Sequence, residues 1–294
     1  MNLVIFSHGP DILGKDSYYG RLFRFSWYIS VKIRLRNDFK ILFLSGLFPQ
    51  MKGQWFCRTL KKSGMELIRS AMDMERTALE LGFLPFFRCG IPTFSIEERT
   101  DAEYWFSSEE EGPWEWKGPV IREGHCAYGK FFNKKAGYVS LEWLPDLLNV
   151  RRTRQYARDE DTAALDEVVL QAIVSEGGVT VRELRHLLGL SGRRGKRRPT
   201  DMVDMTASDG RISLEPILTR LMMRLQVVIA DFVYNTDRHG RPYGWGVARY
   251  TVPEVLYGRM EAGCPPEVSY EKIYRHFRSL FPEAPEKTIR NLIG

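Results

Sequence analysis

The sequence predicts an α+β protein: an N-terminal mixed α/β domain, then a winged helix-turn-helix domain, then C-terminal helices. Three observations carry this. Apolar residues recur at helical spacing three times between Leu165 and Leu225. The period then switches to two, where the β-branched and aromatic runs "QVVIADFVY" and "YGWGVARYT" flank the turn residues "NTDRHGRP". Upstream, Gly, Pro and aromatic residues interrupt short β-like runs between Gly112 and Leu148.

Taken in order, residues 1–62 mix aromatic and basic residues without a sustained period. They hold 11 Lys+Arg against 3 Asp+Glu; the remainder holds 32 against 34. The expectation is a basic extension of uncertain order, 1–62. It reads either as an arm that meets phosphates or an anionic surface, or as upstream translation, since Met51 and Met65 offer later starts. Residues 65–82 read as the first helix, with Leu67, Ile68, Ala71, Met72, Ala78 and Leu79 on one face and Gly82 as the stop. "TDAEYWF" starts a short helix. "CAYGKFF" and "AGYVS", joined across "NKK", read as a hairpin. "SLEWLPDLLN" is a helix entry capped by Ser140. The charged run 151–162 is the expected boundary. The domains are therefore 63–155, 156–255 and 256–294.

In the second domain Leu165, Val168, Val169, Ala172 and Ile173 form one helical stripe, ended by Gly177-Gly178. Thr180 and Glu183 have the spacing of a capping box. Val181, Leu184, Leu187 and Leu188 follow as the stripe of a second helix. Ser213 caps a third, with Leu214, Ile217, Leu218, Leu221, Met222 and Leu225 inside and Pro216 in its first turn. Three helices and a hairpin are the ordering of a winged helix, whose third helix usually enters the major groove. Val268–Phe281 and a segment from Pro285 to Ile293 complete the chain as helices.

Composition sets limits. No apolar run approaches the ~20 residues of a membrane helix, and the first residues lack a secretory signal. Cys57, Cys89, Cys126 and Cys264 are scattered, which fits a reducing, cytoplasmic setting without a zinc ribbon. His125 and Cys126 are adjacent and make a poor metal pair. No metal site, phosphate-cradling loop or cofactor is expected.

The candidate contacts are basic. Arg193, Arg194, Lys196, Arg197 and Arg198 place five cations in six residues, suited to phosphates and counterion release, or to a solvated loop. The segment from Gly189 to Ser213 is longer than an ordinary helix-turn-helix turn. Arg220 and Arg224, four apart on the third helix, are expected on an outer face with Glu215, Thr219 and Met223. They serve either double-stranded DNA or ion pairs with the body of the protein. Arg238, His239 and Arg241 sit at the hairpin tip. Trp114 and Trp116 are candidates to stack a base, and Glu115 between them is the candidate catalytic carboxylate. Residues in such a pattern are more often core aromatics and a helix start or exposed acidic loop, here one that includes Glu109, Glu110 and Glu111.

The blocks "LGFLPFFRCGIPTFSIEERTDAEYWFSSEEEGPWEWKGPV", "CAYGKFFNKKAGYVSLEWLPDL" and "LTRLMMRLQVVIADFVYNTDRHGRPYGWGVARY" resemble the AlkZ-related proteins, shorter relatives of the AlkZ-like winged-helix DNA glycosylases. The resemblance covers roughly 65–294. It implies duplex DNA as partner, with alkylated or distorted DNA as the target. The family's catalytic glutamine-containing pair would follow Leu81-Gly82, where this sequence has Pro85 and Phe87. Neither side chain can position a water, so no catalytic residue carries over. Two rival readings stay open: an active glycosylase with a relocated carboxylate, and a protein-interaction module.

Overall fold

A computed structural model describes residues 5–6, 30–35, 38–43, 66–106, 111–154, 159–190, 212–240 and 242–294. The chain divides into two compact units, 1–59 and 60–294. In the first, β1 (Ile5–Phe6), β2 (Ser30–Leu35) and β3 (Asp38–Phe43) form an antiparallel sheet in the order β1-β2-β3. The alternation Val31/Ile33/Leu35 against Lys32/Arg34 is strand-like, although it is too short to stand out in so basic a stretch.

In the second unit, α1 (Ala71–Leu81) starts six residues later than the apolar spacing predicts. Ser70 is the reason. Its Oγ accepts from the Asp73 N–H at 3.1 Å, which caps the helix. Ile68 lies upstream, fully buried, and its N–H donates to the Arg99 carbonyl. Met74, Thr77 and Ala78 are the buried face, while Met72 and Leu79 are exposed. Gly82 ends the helix at φ 73°, and a Cβ there would lie 2.4 Å from Trp143. The Trp143 ring stacks on His276 at 4.1 Å, and His276 Nε2 meets the Leu81 carbonyl at 2.8 Å.

The strand β4 (Phe83–Pro85) joins β5 (Cys126–Phe132) and β6 (Lys135–Ser140) in the antiparallel order β4-β6-β5. Asn133 and Lys134 connect β5 to β6 with φ of 50° and 66°. Two positive values in a two-residue loop give the type I′ turn that suits a twisted hairpin. Between β4 and β5 come α2 (Ile96–Arg99), a 3-10 turn (Ala102–Trp105) and α3 (Pro113–Glu123). The α3 segment was expected as β-like runs. Instead, Pro113 opens a helix, where its missing N–H costs nothing, and Trp116, Val120 and Ile121 share its buried face.

α4 (Leu144–Thr153) begins at Leu144, not at Ser140. Ser140 is the last residue of β6, and its buried Oγ has no hydrogen-bond partner among the described residues. The run expected as a linker starts with structure. Arg151, on α4, is only 1% exposed. Its guanidinium donates to the carbonyls of Phe131, Met223, Leu292 and Ile293 at 2.8–3.0 Å.

α5 (Glu160–Glu176) buries Leu165, Asp166, Val169 and Ile173, but Val168 is exposed. β7 (Val179–Thr180) leads into α6 (Val181–Leu187) through the expected reciprocal cap. Thr180 N–H donates to Glu183 Oε2 at 2.8 Å, and Glu183 N–H donates to Thr180 Oγ1 at 3.3 Å. Leu187 is exposed. α7 (Leu214–Met223) follows, then β8 (Val228–Thr236) and β9 (Pro242–Thr251). Ser213 sits at the α7 N-cap without a side-chain cap bond. The sheet order is β7-β9-β8, antiparallel. α8 (Pro253–Tyr257), α9 (Pro266–Leu280) and α10 (Glu286–Ile293) complete the unit.

Small antiparallel sheets and many helices make this a mixed α+β fold. Two hydrophobic clusters hold residues 60–294. One joins Ile68, Phe86 and Trp116 to Val169, Leu218 and Tyr250. The other joins Phe83, Phe131 and Leu147 to Val228, Phe277 and Ile293. Both cross the expected boundary near 155, and the second also crosses the one near 255. Among the described residues no helix is long and apolar enough to cross a membrane.

Candidate nucleic-acid interface

α7 is covered on two sides. Toward α5, Arg220 donates to Asp166 Oδ1 from Nη2 at 2.6 Å and from Nε at 3.0 Å, while Arg224 Nη1 reaches Asp166 Oδ2 at 3.4 Å. The Asp166 side chain is 2% exposed, and those of Arg220 and Arg224 are 33% and 14% exposed. A carboxylate so buried requires charged partners. Toward β5, the Lys130 ammonium meets the Glu215 carboxylate and lies 3.4 Å from Thr219 Oγ1. Thr219, expected on the outer face, is buried. Arg220 and Arg224 thus pair with Asp166 within the protein. Their partner Asp166 is 54 residues from Arg220 in sequence, which no local pattern reveals.

Glu115 is exposed at the start of α3, where its Oε2 accepts from the Gly112 N–H at 2.9 Å. A carboxylate there also meets the positive end of the helix dipole. Trp116 is 4% exposed, so its ring packs in the core instead of standing open to a base. Trp114 is only partly buried. It lies 5.5 Å from Phe86, 5.5 Å from Trp105 and 6.1 Å from Phe87, between ring centroids. Phe87 therefore belongs to an aromatic shelf, and Pro85 is buried in β4 opposite Gly137. Apolar packing occupies the place where a polar pair was sought. Phe106, at the rim of the same segment, is exposed.

Lys117 was passed over in the sequence. Its Nζ lies 4.1 Å from the Phe232 ring centroid and 5.3 Å from that of Trp114. Burial pulls its ammonium below the ordinary lysine range, against the opposing pull of Glu115. The signal was its place in "WEWK", a cation one helical turn from Trp114. Tyr234, two residues beyond Phe232, has its phenol raised by burial and then by the Glu115 carboxylate.

At the hairpin tip the Asp237 side chain accepts from the His239 N–H at 2.8 Å, and Gly240 takes φ 76°. Arg238 Nε meets His239 Nε2 at 3.0 Å, and both side chains are exposed. Arg193, Arg194, Lys196, Arg197, Arg198, Arg241, Glu109 and Glu110 lie outside the described residues. Among the described residues no three His, Cys, Asp or Glu side chains converge as a metal site.

The family model described as "AlkZ related" matches residues 68–294. This chain belongs to the AlkZ-related family. The match takes in β4 to β6, all ten helices described above and the hairpin β8–β9. Among solved structures, the Streptomyces sahachiroi DNA glycosylase AlkZ is similar to this AlkZ-related chain at 12% identity and a TM-score of 0.39. The likeness covers 83% of this chain and 64% of that one. No curated protein matches the sequence.

Proposed function

We propose that this AlkZ-related chain binds duplex DNA through a winged-helix module, using the hairpin and the basic loop and not the third helix. The observation that carries the reading is the element order α5, β7, α6, α7, β8, β9 with the sheet order β7-β9-β8. That order supports a helix-turn-helix variant with a flanking wing. Membership in a family named for its relation to AlkZ adds support for DNA as the partner. Arg238 and Arg241 at the wing, with Arg193, Arg194, Lys196, Arg197 and Arg198, contact phosphates. The aromatic shelf of Trp114, Trp105 and Phe87 faces an extruded or distorted base. Arg220 and Arg224 brace the module through Asp166. The protein acts in the cytoplasm, without a membrane or a small-molecule cofactor.

The test is fluorescence anisotropy of the full chain on plain and alkylated duplexes across a salt series. Affinity that falls steeply with salt is expected, because phosphate contacts release counterions. No binding at low salt refutes the reading and leaves a protein-interaction module. Base excision is the second reading, favoured by the exposed Glu115 beside Trp114. Release of an alkylated base that is lost in Glu115→Gln supports it, and no release from any lesion ends it.

A further inference from the structure

The amine of Lys117 stands apart from the other chemistry of the described residues. Lys130 and Lys272 each meet a carboxylate, Glu215 and Asp146 respectively. Among the described residues no carboxylate lies within ion-pair distance of Lys117; its Nζ rests against the Phe232 and Trp114 rings. An amine half-buried against two rings is partly desolvated, and desolvation is one way a lysine becomes a nucleophile near neutral pH. The depressed basicity of Lys117 agrees with this.

The position of the amine fits an extended strand. Lys117 touches β8 at Phe232, and Phe232 and Tyr234 lead along β8 to the tip at Arg238. At ~3.3 Å per residue the four steps from Phe232 to Thr236, where β8 ends, span ~13 Å, and Arg238 follows in the turn. DNA advances ~3.4 Å per phosphate along one strand, so about four nucleotides cover the length of β8 between the amine at Phe232 and the turn that carries Arg238. The aromatic shelf, Trp114 included, supplies stacking for a base beside that sugar.

We propose that Lys117 is a nucleophile toward the aldehyde of an abasic site in DNA, joining C1′ as a Schiff base. The proposal rests on the DNA-binding reading. The neutral amine attacks C1′ of the ring-opened sugar, and the carbonyl electron pair moves onto oxygen. The carbinolamine loses one water as the C=N bond forms. The iminium acidifies C2′, whose proton passes to water. The electron pair left at C2′ forms a C2′–C3′ double bond as the C3′–O bond breaks, and the 3′ phosphate leaves. One water then hydrolyses the iminium and restores the amine. No oxidant, metal or cofactor is needed. The reaction also needs no residue at Pro85 or Phe87 to activate water.

The experiment mixes the full chain with a duplex containing one abasic site in the presence of cyanoborohydride, with anisotropy on the same duplex in parallel. A covalent adduct is expected, carried by the tryptic peptide that contains Lys117. The adduct falls at least tenfold in Lys117→Met. It falls equally in Lys117→Arg, which keeps the cation against the rings but lacks the nucleophile. An adduct undiminished in Lys117→Arg assigns the chemistry to another amine and overturns the proposal. Duplex binding without any adduct overturns it too, and leaves the DNA-binding reading standing. No duplex binding and no adduct overturns both.

Discussion

Replacing Arg151 by methionine keeps much of its volume and removes every donor from the centre of the 60–294 unit. Four carbonyls lose a partner: Phe131 on β5, Met223 at the end of α7, and Leu292 and Ile293 on α10. Each stranded buried acceptor costs ~1–3 kcal/mol, so four cost ~4–12 kcal/mol if none finds water. Methionine no longer buries a charge, which returns several kcal/mol. The expected net loss is ~3–5 kcal/mol, the range for breaking a buried charged network. For a chain of this size ~1 kcal/mol moves the thermal midpoint by ~2–4 °C, giving a fall of about 6–20 °C. Circular dichroism melts, with urea unfolding as a cross-check, measure this. Arg151→Lys is expected to fall between methionine and wild type, because one ammonium cannot span carbonyls arranged for a planar fork. A midpoint for Arg151→Met within ~1 °C of wild type refutes the claim that this guanidinium ties the elements together.

Three further outcomes are expected. Asp166→Asn leaves Arg220 and Arg224 without their shared carboxylate and lowers stability by ~2–4 kcal/mol by urea unfolding, while Arg220→Ala reduces stability more than duplex affinity per folded molecule. Charge reversal at Arg193, Arg194, Lys196, Arg197 and Arg198 weakens DNA binding and flattens the salt slope by ~0.9 for each phosphate no longer neutralised, as anisotropy reads it; an unchanged slope removes that loop from the interface. The Glu183 carboxyl is held low by the Thr180 N–H and then by the Thr180 hydroxyl. Its folded pKa is therefore below the unfolded one, so its stabilisation is present above the unfolded value near 4.5 and is lost as pH falls through the folded value. Glu183→Gln is expected to make thermal stability slightly less sensitive to acid below pH 5, and an identical acid profile contradicts this.

The parts of the fold legible in sequence were those set by neighbours. Asn133-Lys134 and Thr180–Glu183 act over two or three residues, and their turn and cap are visible as letters. The helix α3 was hidden because Pro113, Gly118 and Pro119 read as breakers, while its helical signal is only Trp116, Val120 and Ile121. Arg151 was hidden for a different reason. Inside "RRTRQYARDEDT" it looks solvated, and its acceptors are backbone carbonyls contributed by distant elements. The candidate site divides the same way. The i, i+4 spacing of Arg220 and Arg224 correctly placed them on one face of one helix. What that face meets was decided by Asp166. Lys117 escaped notice because its second ring, Phe232, arrives from the hairpin 115 residues later.

The contact between His276 and Leu81 also has a temporal side. The two residues are 195 apart in the chain. At a synthesis rate of ~5–20 residues per second, the last turn of α1 is made about 10–40 s before the helix that covers it. Until His276 is made the Leu81 carbonyl stands open, and so does the Trp143 ring once it has been added, so the nascent chain carries an uncovered aromatic face beside β4.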